Sequence, residues 1–497
     1  MSTKKNSTRF AAAALLLATL SGVMVSCGGA EGTAAETKAQ TDAVTEAVTE
    51  AVTEDPALRD SLPETDLNGY QYRMAIFGTD IQRIMTYNDD EDGNIVNDAV
   101  YHKIRTVEER FNADIVLSDM SYLEADQISA LKKAVIAGED SCEIAQGHDV
   151  NTANVSLEGL FMNIYDIPYL DFSKPWWPAE TLESMTVAGQ MYMMFNNISY
   201  SNLAQMRVMY FNKTLMKDLD FEFPYQKVYD GTWTLDAMME YTTAAYSDIN
   251  GDGVRGEEDR YGYVNMPNYY AMLEPFCVEP YKKDANGTLY YEVELERTTA
   301  VVEKFYELIF GEGGYLVPRK YDDYADRVYK IVTEGRSLFF YGSLDTAVTK
   351  FSNTSLVYGC LPMPKLDESQ EEYYGGSFDR PLVIPTTAQN LENLGIITEA
   401  LNAEGYKQVY PAFYETAMKT RYADQTDDAK MIDIVHNNVI ISFTYLFGDY
   451  KSIFNMMWDL FNANTATTNV ASWCKKNEKS QTKRVEKLMT FFEEHRS

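Results

Sequence analysis

Residues 70–77, YQYRMAIF, have the composition of a buried β-strand, and the chain after them alternates between helix and strand patterns. Residues 95–111 carry apolar side chains near helical spacing, and residues 113–117, ADIVL, predict a second strand. A second helix is predicted over residues 128–137 and a third, short strand over residues 143–145. Strands that alternate with helices predict a parallel sheet covered by helices, and therefore an α/β fold.

Two loops lie at the ends of predicted strands. Residues 78–80, GTD, follow the first strand, and residues 147–149, GHD, follow the third. In α/β sheets, ligands bind beyond the carboxyl ends of the parallel strands. We therefore expect both loops to lie at the ligand-binding edge of the sheet.

The length and charge of the chain limit its possible functions. Its 497 residues predict two or three domains, and 45% hydrophobic residues are enough to form substantial cores. A formal net charge of −32 repels the phosphates of nucleic acids and of anionic bilayers, so nucleic-acid binding is not expected. The 36 tyrosines combine a flat ring with a hydroxyl group, which suits a polar ligand with apolar faces such as a sugar.

The cysteines and histidines do not point to metal-dependent or nucleophilic catalysis. The five cysteines form no CxxC pair and fit no zinc template, and the four histidines lie far apart. Apart from Cys27, the cysteines could pair with one another or stay reduced. The sequence also contains no nucleophile elbow, no HExxH motif and no P-loop, so we do not expect an enzyme.

Residues 1–27 are typical of a secretion signal, with basic residues before an apolar stretch that is too short for a membrane-spanning helix. Ser26-Cys27 followed by two glycines resembles a bacterial lipobox, although Met24 and Val25 depart from its usual pattern. The resemblance implies cleavage before Cys27 and a lipid on its sulfur, with acyl chains such as palmitate. The alternative is an ordinary cleaved signal with an incidental cysteine.

Residues 28–66 are rich in Ala, Thr, Glu and Gly and contain the repeat AVTE at 43–46, 47–50 and 51–54. Such a segment has little apolar surface to bury, and its like charges repel one another. We therefore predict a disordered acidic tether between Cys27 and a folded body, with a transient helix as the alternative.

Several motifs, taken in order, resemble one protein family. They are residues 98–112, DAVYHKIRTVEERFN; 159–164, GLFMNI; 189–192, GQMY, with 210–213, YFNK; 231–236, GTWTLD; and 334–340, EGRSLFF, with 359–364, GCLPMP. The ordered set covers most of residues 68–460. It is similar to the bacterial family 1 extracellular solute-binding proteins, the sugar-binding subunits of ABC importers.

The resemblance implies a two-lobe α/β fold of the periplasmic-binding-protein type (type II), with a hinge between the lobes and the ligand in the cleft. Carried onto this chain, lobe one would comprise residues 68–197 and 370–410. Lobe two would comprise residues 198–369 and 411–497. A bound solute would stabilise a closed form, and that form would dock on the permease.

The resemblance also implies candidate ligand-binding residues on both lobes and in the C-terminal region, where related proteins often supply a tryptophan that stacks on a sugar. They are Asp80, His148, Asp149, Tyr341, Trp458 and Trp473. Each has an ordinary alternative, because aspartate at a strand end often caps a helix and tryptophan often packs in a core. The pair Trp176-Trp177 is interpreted as an interlobe or surface anchor, with stacking on the ligand as the alternative.

Residues 248–253, DINGDG, resemble the start of an EF-hand calcium loop. The expected oxygen ligands are Asp248, Asn250, Asp252, the backbone of Val254, and Asp259 at the twelfth position. Calcium here would be a structural cofactor that holds the loop. The alternative is an Asn/Asp/Gly turn without metal.

Together, these features predict an extracytoplasmic, membrane-anchored solute-binding lipoprotein. We expect it to capture a small solute, a sugar or an oligosaccharide, for the permease subunits of an ABC importer. One rival class is a secreted glycoside hydrolase, which would need two carboxylates about 5–10 Å apart. Another is a surface carbohydrate-binding or adhesin lipoprotein. The sequence does not identify the solute, and a peptide also fits the scaffold.

Overall fold

The computed structural model describes residues 56–122, 127–266, 272–318, 320–378, 380–414, 426–448, 452–462 and 466–495. These residues belong to one unit, Glu54–Ser497. The predicted signal 1–27, including Cys27, and residues 28–55 of the predicted tether lie outside the described residues. None of the helices that the structure describes combines the length and the apolar composition needed to cross a bilayer.

Residues 56–66, which the sequence assigns to the tether, pack against the folded body. Pro56–Leu58 form a 3-10 turn, and Leu62 is only 9% exposed. Asp60 accepts two hydrogen bonds from the Arg110 guanidinium, at 2.6 and 2.9 Å. The predicted tether is therefore too long at its C-terminal end, because an ion pair and a buried leucine that composition does not reveal attach this segment to a helix.

The strands are, in chain order, β1 Tyr70–Ile76, β2 Ala113–Leu117, β3 Ile144–Gln146, β4 Arg207–Asn212, β5 Tyr261–Asn265, β6 Tyr281–Lys283, β7 Leu289–Tyr291, β8 Gly314–Leu316, β9 Ser337–Ser343, β10 Tyr358–Leu361, β11 Gly375–Gly376, β12 Leu382–Val383 and β13 Val439–Ile440. The first three match the predicted strands to within one residue at each end.

The α-helices are α1 Asp80–Ile84, α2 Ile95–Phe111, α3 Gln127–Ile136, α4 Asp149–Ser156, α5 Ala179–Met185, α6 Ser201–Ala204, α7 Lys213–Asp218, α8 Tyr225–Tyr229, α9 Leu235–Ala245, α10 Leu295–Phe310, α11 Tyr324–Thr333, α12 Thr346–Thr349, α13 Leu391–Glu404, α14 Thr426–Asn437, α15 Phe443–Phe447, α16 Met456–Phe461 and α17 Val470–Glu494. A π-helical turn, Gly405–Val409, continues α13. The remaining 3-10 turns are Asp119–Tyr122, Ile164–Asp166, Glu274–Phe276 and Ile453–Asn455.

Lobe one is built on a four-stranded sheet with the order β12-β3-β1-β2. β2, β1 and β3 are parallel, whereas β12 runs antiparallel to β3. α2 and α13 pack together and cover this sheet, and the Tyr72 hydroxyl of β1 meets the Thr398 hydroxyl of α13 at 2.8 Å. The parallel pairing brings the loops after β1 and β3 to the same edge of the sheet, as the strand pattern predicts.

Lobe two is built on a five-stranded sheet with the order β10-β4-β9-β5-β8. β4 runs antiparallel to β9 and β10, whereas β5 is parallel to β9 and β8. Arg207 at the start of β4 pairs with Ser343 at the end of β9, and Tyr261 at the start of β5 pairs with Ser337. The beginning of β4 therefore lies at the same edge as the carboxyl ends of β5 and β9.

Two chain segments connect the sheets side by side. Met194 pairs with Leu382 beside the first sheet, and Met206 pairs with Ser377 beside the second. The connecting segments, residues 194–206 and residues 377–382 without Asp379, thus run next to each other between the lobes. The buried Lys103 ammonium of α2 donates to the Ile198 carbonyl at 2.6 Å and to the Thr86 carbonyl at 2.9 Å, which ties one segment to lobe one.

The C-terminal region contacts both lobes. α14 packs on β10, and α17 packs on β7 and α10, but α15 packs on α4 of lobe one. Along α17, Arg484 donates to the Asn154 side chain at 2.6 Å. The predicted assignment of residues 411–497 to lobe two alone is therefore too simple, since this segment returns to lobe one after α14.

Two buried polar clusters fix individual helices. The indole nitrogens of Trp176 and Trp177 donate to the two carboxylate oxygens of Glu399 in α13, at 2.9 and 3.0 Å. Both tryptophans are almost fully buried, so the interpretation of this pair as an interlobe or surface anchor is wrong. In lobe two, the buried side chains of Lys213 and Asp428 form an ion pair that joins α7 to α14. Among the described residues the four cysteines are free thiols.

Candidate functional site

A cavity of about 490 Å³ lies at the sheet edges where the connecting segments pass. Such a volume is within the range of about 300–1,000 Å³ that is usual for small-molecule sites. Its walls come from the ends of both sheets, from the connecting segments and from the C-terminal region. The lining residues are Gln82, Met85, His148, Asp149, Val150, Asn151, Ser201, Gln205, Arg207, Phe378, Arg380, Tyr445, Gly448, Ser452, Phe454 and Asn455.

The lobe-one wall is organised around Asp149, the first residue of α4 after β3. Its carboxylate accepts the Val150 backbone N–H at 2.7 Å and lies 2.8 Å from Nδ1 of His148. The hydrogen bond to Asp149 raises the pKa of His148 despite partial burial. Burial, together with the nearby Asp149 carboxylate, raises the pKa of Tyr445 well above its usual value, so that its hydroxyl stays protonated. Asp149 thus positions two other cavity residues.

Another part of the wall carries a row of three planar groups from three separate parts of the chain. The Arg207 guanidinium carbon lies 3.9 Å from the ring centroid of Phe378, and the Phe378 and Tyr445 rings are stacked at 5.3 Å and 25°. Phe378 therefore contacts both Arg207 and Tyr445, and Tyr445 links this row to Asp149. Arg380, two residues after Phe378, donates to the Phe77 carbonyl at 2.7 Å, which holds the connecting segment against lobe one.

A buried carboxyl group lies close to this row. Glu274 is 1% exposed, and neither of its carboxyl oxygens has a hydrogen-bond partner of good geometry in the part of the chain that the structure describes. A Cβ atom on Gly376 would lie 1.8 Å from one of these oxygens, so a side chain at this position would displace the Glu274 carboxyl group. Burial and the neighbouring Glu279 raise the pKa of Glu274 well above its usual value, although Arg207 acts in the opposite direction.

The structure places the predicted ligand-binding residues in different surroundings. His148 and Asp149 line the cavity. Asp80 does not, since its side chain is 86% exposed and forms an ion pair with Arg83. Tyr341 in β9 lies behind the lining, where the Arg207 guanidinium carbon is 5.9 Å from its ring.

The two C-terminal tryptophans do not line the cavity either. Trp473 is 6% exposed, and its indole nitrogen donates to Asp459 at 2.9 Å. Trp458 is half-buried on α16, one helical turn beyond the lining residue Phe454. The aromatic residues on the wall are instead Phe378, Tyr445 and Phe454.

Sequence reasoning missed several residues of the wall, most clearly Arg207, Phe378 and Tyr445. Arg207 had a usable signal, because it is the one charged residue in the strand RVMYFN and stands at its first position. Phe378 and Tyr445 had no such signal, because only the tertiary fold brings the connecting segment and the C-terminal region next to Arg207.

The predicted calcium loop is a compact turn in which the acidic side chains accept backbone hydrogen bonds. Asp248 accepts from Gly251 at 2.7 Å and Gly253 at 2.9 Å, and Asp252 accepts from Val254 at 2.7 Å. The fully buried Asp259 accepts from Ile249 at 3.3 Å and Gly256 at 3.0 Å. Among the described residues, no group of three or more His, Cys, Asp or Glu side chains is placed to hold a metal ion.

Calcium binding at this loop stays a prediction, and it can be tested directly. If the loop binds calcium, 1 mM Ca²⁺ added after EDTA treatment should raise the melting temperature, because a ligand of the folded state stabilises it by mass action. Asp248→Asn should abolish this shift and leave the melting temperature in EDTA nearly unchanged. An equal melting temperature with EDTA and with Ca²⁺ would show that the turn needs no ion.

Comparison with known proteins identifies the fold. No protein-family model matches the chain, and no curated protein sequence matches it. Many solved structures do match. The galacto-N-biose/lacto-N-biose I-binding protein of the ABC transporter from Bifidobacterium longum, in complex with lacto-N-biose, has a TM-score of 0.58 at 13% identity, covering 85% of this chain and 98% of that chain.

Two further structures give the same result. A family 1 extracellular solute-binding protein from Bifidobacterium longum subsp. infantis has a TM-score of 0.54 at 14% identity and covers 83% of this chain and all of its own length. UgpB from Mycobacterium tuberculosis, in complex with glycerophosphocholine, has a TM-score of 0.53 at 11% identity, over 85% of this chain and 99% of its own. The chain therefore has the two-lobe α/β fold that these solved structures share.

Proposed function

We propose that this protein is an extracytoplasmic solute-binding protein that captures a small polar solute, a sugar or an oligosaccharide, for an ABC importer. The observation that carries the proposal is the cavity, because its polar walls come from both lobes. Gln82 and Asn151 line it from lobe one, and Gln205 and Arg207 line it from the connecting segment and the start of β4. Planar polar groups of this kind suit the hydroxyl groups of a sugar.

The structural neighbours support the same class of solute. The Bifidobacterium longum protein of the same fold was solved with lacto-N-biose, a sugar. The glycerophosphocholine complex shows that the fold also accepts small polar solutes of another kind. A carbohydrate is therefore the first class to test, and a panel should extend beyond it.

A glycoside hydrolase is the alternative that uses the same kind of cavity. Hydrolysis of a glycosidic bond needs two carboxylates that flank it. Within the described part of the lining, Asp149 supplies one carboxylate, and that group is already engaged by Val150 and His148. This arrangement favours binding without chemical change.

Capture would proceed by closure of the lobes about the connecting segments 194–206 and 377–382. A solute that contacts both walls stabilises the closed form, since it gains contacts that the open form cannot offer. A lipid on Cys27 would keep the protein near the permease, and incorporation of labelled palmitate by the wild type but not by Cys27→Ser tests this anchor.

A thermal-shift screen of mono- and oligosaccharides, followed by calorimetry on the hits, tests the function. We expect at least one compound to raise the melting temperature and to be recovered unchanged by chromatography. X-ray scattering should show a smaller radius of gyration with this compound. Recovery of a cleaved product would show that the protein is a hydrolase rather than a binding protein. An unchanged radius of gyration at saturating compound would argue against closure of the lobes.

Asp149→Asn should weaken binding of such a compound about 10–100-fold, the loss typical of a charged hydrogen-bond network. The variant keeps the side-chain shape but removes the charge that positions His148 and Tyr445. Calorimetry measures the affinity, and circular dichroism checks the fold. Asp80→Asn is the matched control at the neighbouring loop and should bind like the wild type. Equal affinity of Asp149→Asn and Asp80→Asn for the compound would show that Asp149 does not contribute to binding.

A further inference from the structure

Arg207 is an unusual group to find on a cavity wall. Its Nε atom is buried and has no hydrogen-bond partner among the described residues, and its guanidinium carbon lies 3.9 Å from the ring centroid of Phe378 and 5.9 Å from that of Tyr341. A partly buried cation gives up hydration, and this loss is normally offset by a carboxylate or by hydrogen bonds. The structure supplies ring contacts to Arg207 but no counter-charge in the described part of the chain.

Two acidic residues near the cavity do not take the role of a counter-charge. Glu274 is close enough for Arg207 to act on its pKa, but it forms no ion pair within the described residues and its burial favours the neutral acid. Asp149 is held by the Val150 backbone and by His148. The positive charge of Arg207 is therefore left for something that enters the cavity.

The row of planar groups also decides which part of the wall a ligand can use. Phe378 is already contacted by the Arg207 guanidinium and by the Tyr445 ring, which competes with stacking of a pyranose ring on Phe378. The ring contacts of Arg207 use none of its N–H groups, and these groups have no hydrogen-bond acceptor among the described residues. The preferred partner of such an edge is an oxyanion, which it binds with two parallel charge-assisted hydrogen bonds.

We propose that the captured solute carries an oxyanion, a carboxylate as in a uronic acid or a phosphate ester, and that Arg207 binds it on the cavity wall. This inference rests on the proposed solute-binding function and narrows it to acidic solutes. A uronic acid and a sugar phosphate share this chemistry, and separate arms of the experiment distinguish them.

The test compares matched acidic and neutral compounds on the full chain. The pairs are glucuronate with glucose, galacturonate with galactose, and digalacturonate with galactobiose; glucose 6-phosphate forms the phosphate arm. We expect one acidic compound to bind at least about 100-fold more tightly than its neutral counterpart, since a bidentate pair with a charged group is lost in the latter. Calorimetry at low and high salt measures the affinities.

Variants assign the effect to Arg207. Arg207→Gln should lower the affinity for the acidic compound about 100-fold but that for its neutral counterpart by no more than about 10-fold, the value of an ordinary hydrogen bond, and Arg207→Lys should bind the acidic compound with an affinity between those of the wild type and Arg207→Gln. Arg260→Gln is the matched control: Arg260 is half-buried at the opposite edge of the same sheet, next to the start of β5, and should bind like the wild type. If Arg207→Gln does not fold, the affinity of Arg207→Lys for the acidic compound and the salt dependence of wild-type binding show whether Arg207 binds the oxyanion.

The outcomes separate this inference from the function on which it rests. If a neutral sugar binds as tightly as its acidic counterpart, the oxyanion inference is overturned and the solute-binding function stands. If Arg207→Gln binds the acidic compound as well as the wild type does, Arg207 is not its partner and the inference is also overturned. If no compound of either kind binds, the proposed sugar-binding function fails, and the inference fails with it.

Discussion

Asp428→Ala is expected to lower the free energy of unfolding by about 3–5 kcal/mol, the loss typical when one partner of a buried ion pair is removed. The Asp428 side chain has no exposed surface and pairs with the Lys213 ammonium. It also accepts the Tyr225 hydroxyl at 2.6 Å and the Cys360 backbone N–H at 3.1 Å. Alanine would remove the carboxylate partner of a buried ammonium and of two hydrogen-bond donors. Denaturant unfolding followed by circular dichroism measures the loss.

Two further variants show whether burial is the cause. Asp236→Ala removes a carboxylate that pairs with Lys304 at 2.8 Å but is 64% exposed, so a loss below about 1 kcal/mol is expected. The double variant Lys213→Met, Asp428→Leu removes both charges and should recover much of the stability that Asp428→Ala loses. A loss in Asp428→Ala no larger than in Asp236→Ala would contradict the buried ion pair.

The stability of the wild type should fall by about 3 kcal/mol relative to Glu399→Gln as the pH rises from 4 to 8. Burial raises the pKa of Glu399 from 4.5 to about 7, although the two indole N–H groups act against this shift. Between about pH 4.5 and 7, the Glu399 carboxyl group is deprotonated in the unfolded chain but still protonated in the folded protein. A rise in pH through this range therefore favours unfolding. The glutamine variant has no such proton to lose. Urea unfolding of both proteins at several pH values measures the difference.

The control for this experiment replaces an exposed carboxylate on the same helix. Glu392 lies in the first turn of α13, and Glu392→Gln should follow the wild-type pH profile. A stability difference between wild type and Glu399→Gln that stays constant from pH 4 to 8 would show that Glu399 keeps its charge in the folded protein. The tryptophan pair would then hold a carboxylate rather than a carboxylic acid.

The first half of lobe one was predictable because its signals are local. α2 begins and ends at the predicted residues, Ile95 and Phe111, since its buried side chains recur at helical spacing. The same local reasoning placed residues 147–149 at the carboxyl end of a parallel strand, and His148 and Asp149 of this loop line the cavity. One chain segment is enough to define each of these features.

The rest of the site depends on pairings that no local pattern contains. Phe378 meets Arg207 because Met206 pairs with Ser377, a contact between residues far apart in the sequence. The expected stacking residue Trp473 instead packs in a helix interface, where its indole N–H finds Asp459. A tryptophan in an amphipathic helix gives the same local pattern in either role, so sequence alone could not separate a core position from a cavity wall.

The order of the strands has a consequence for how the nascent chain acquires its structure. The five strands of the second sheet all lie between residues 207 and 361. The first sheet is complete only after Leu382–Val383 have been synthesised, and the helix Leu391–Glu404, which covers Tyr72, follows later still. Joining such distant segments requires closure of a long loop, which slows assembly. During synthesis, the sheet whose first strands emerge first is therefore the one completed last.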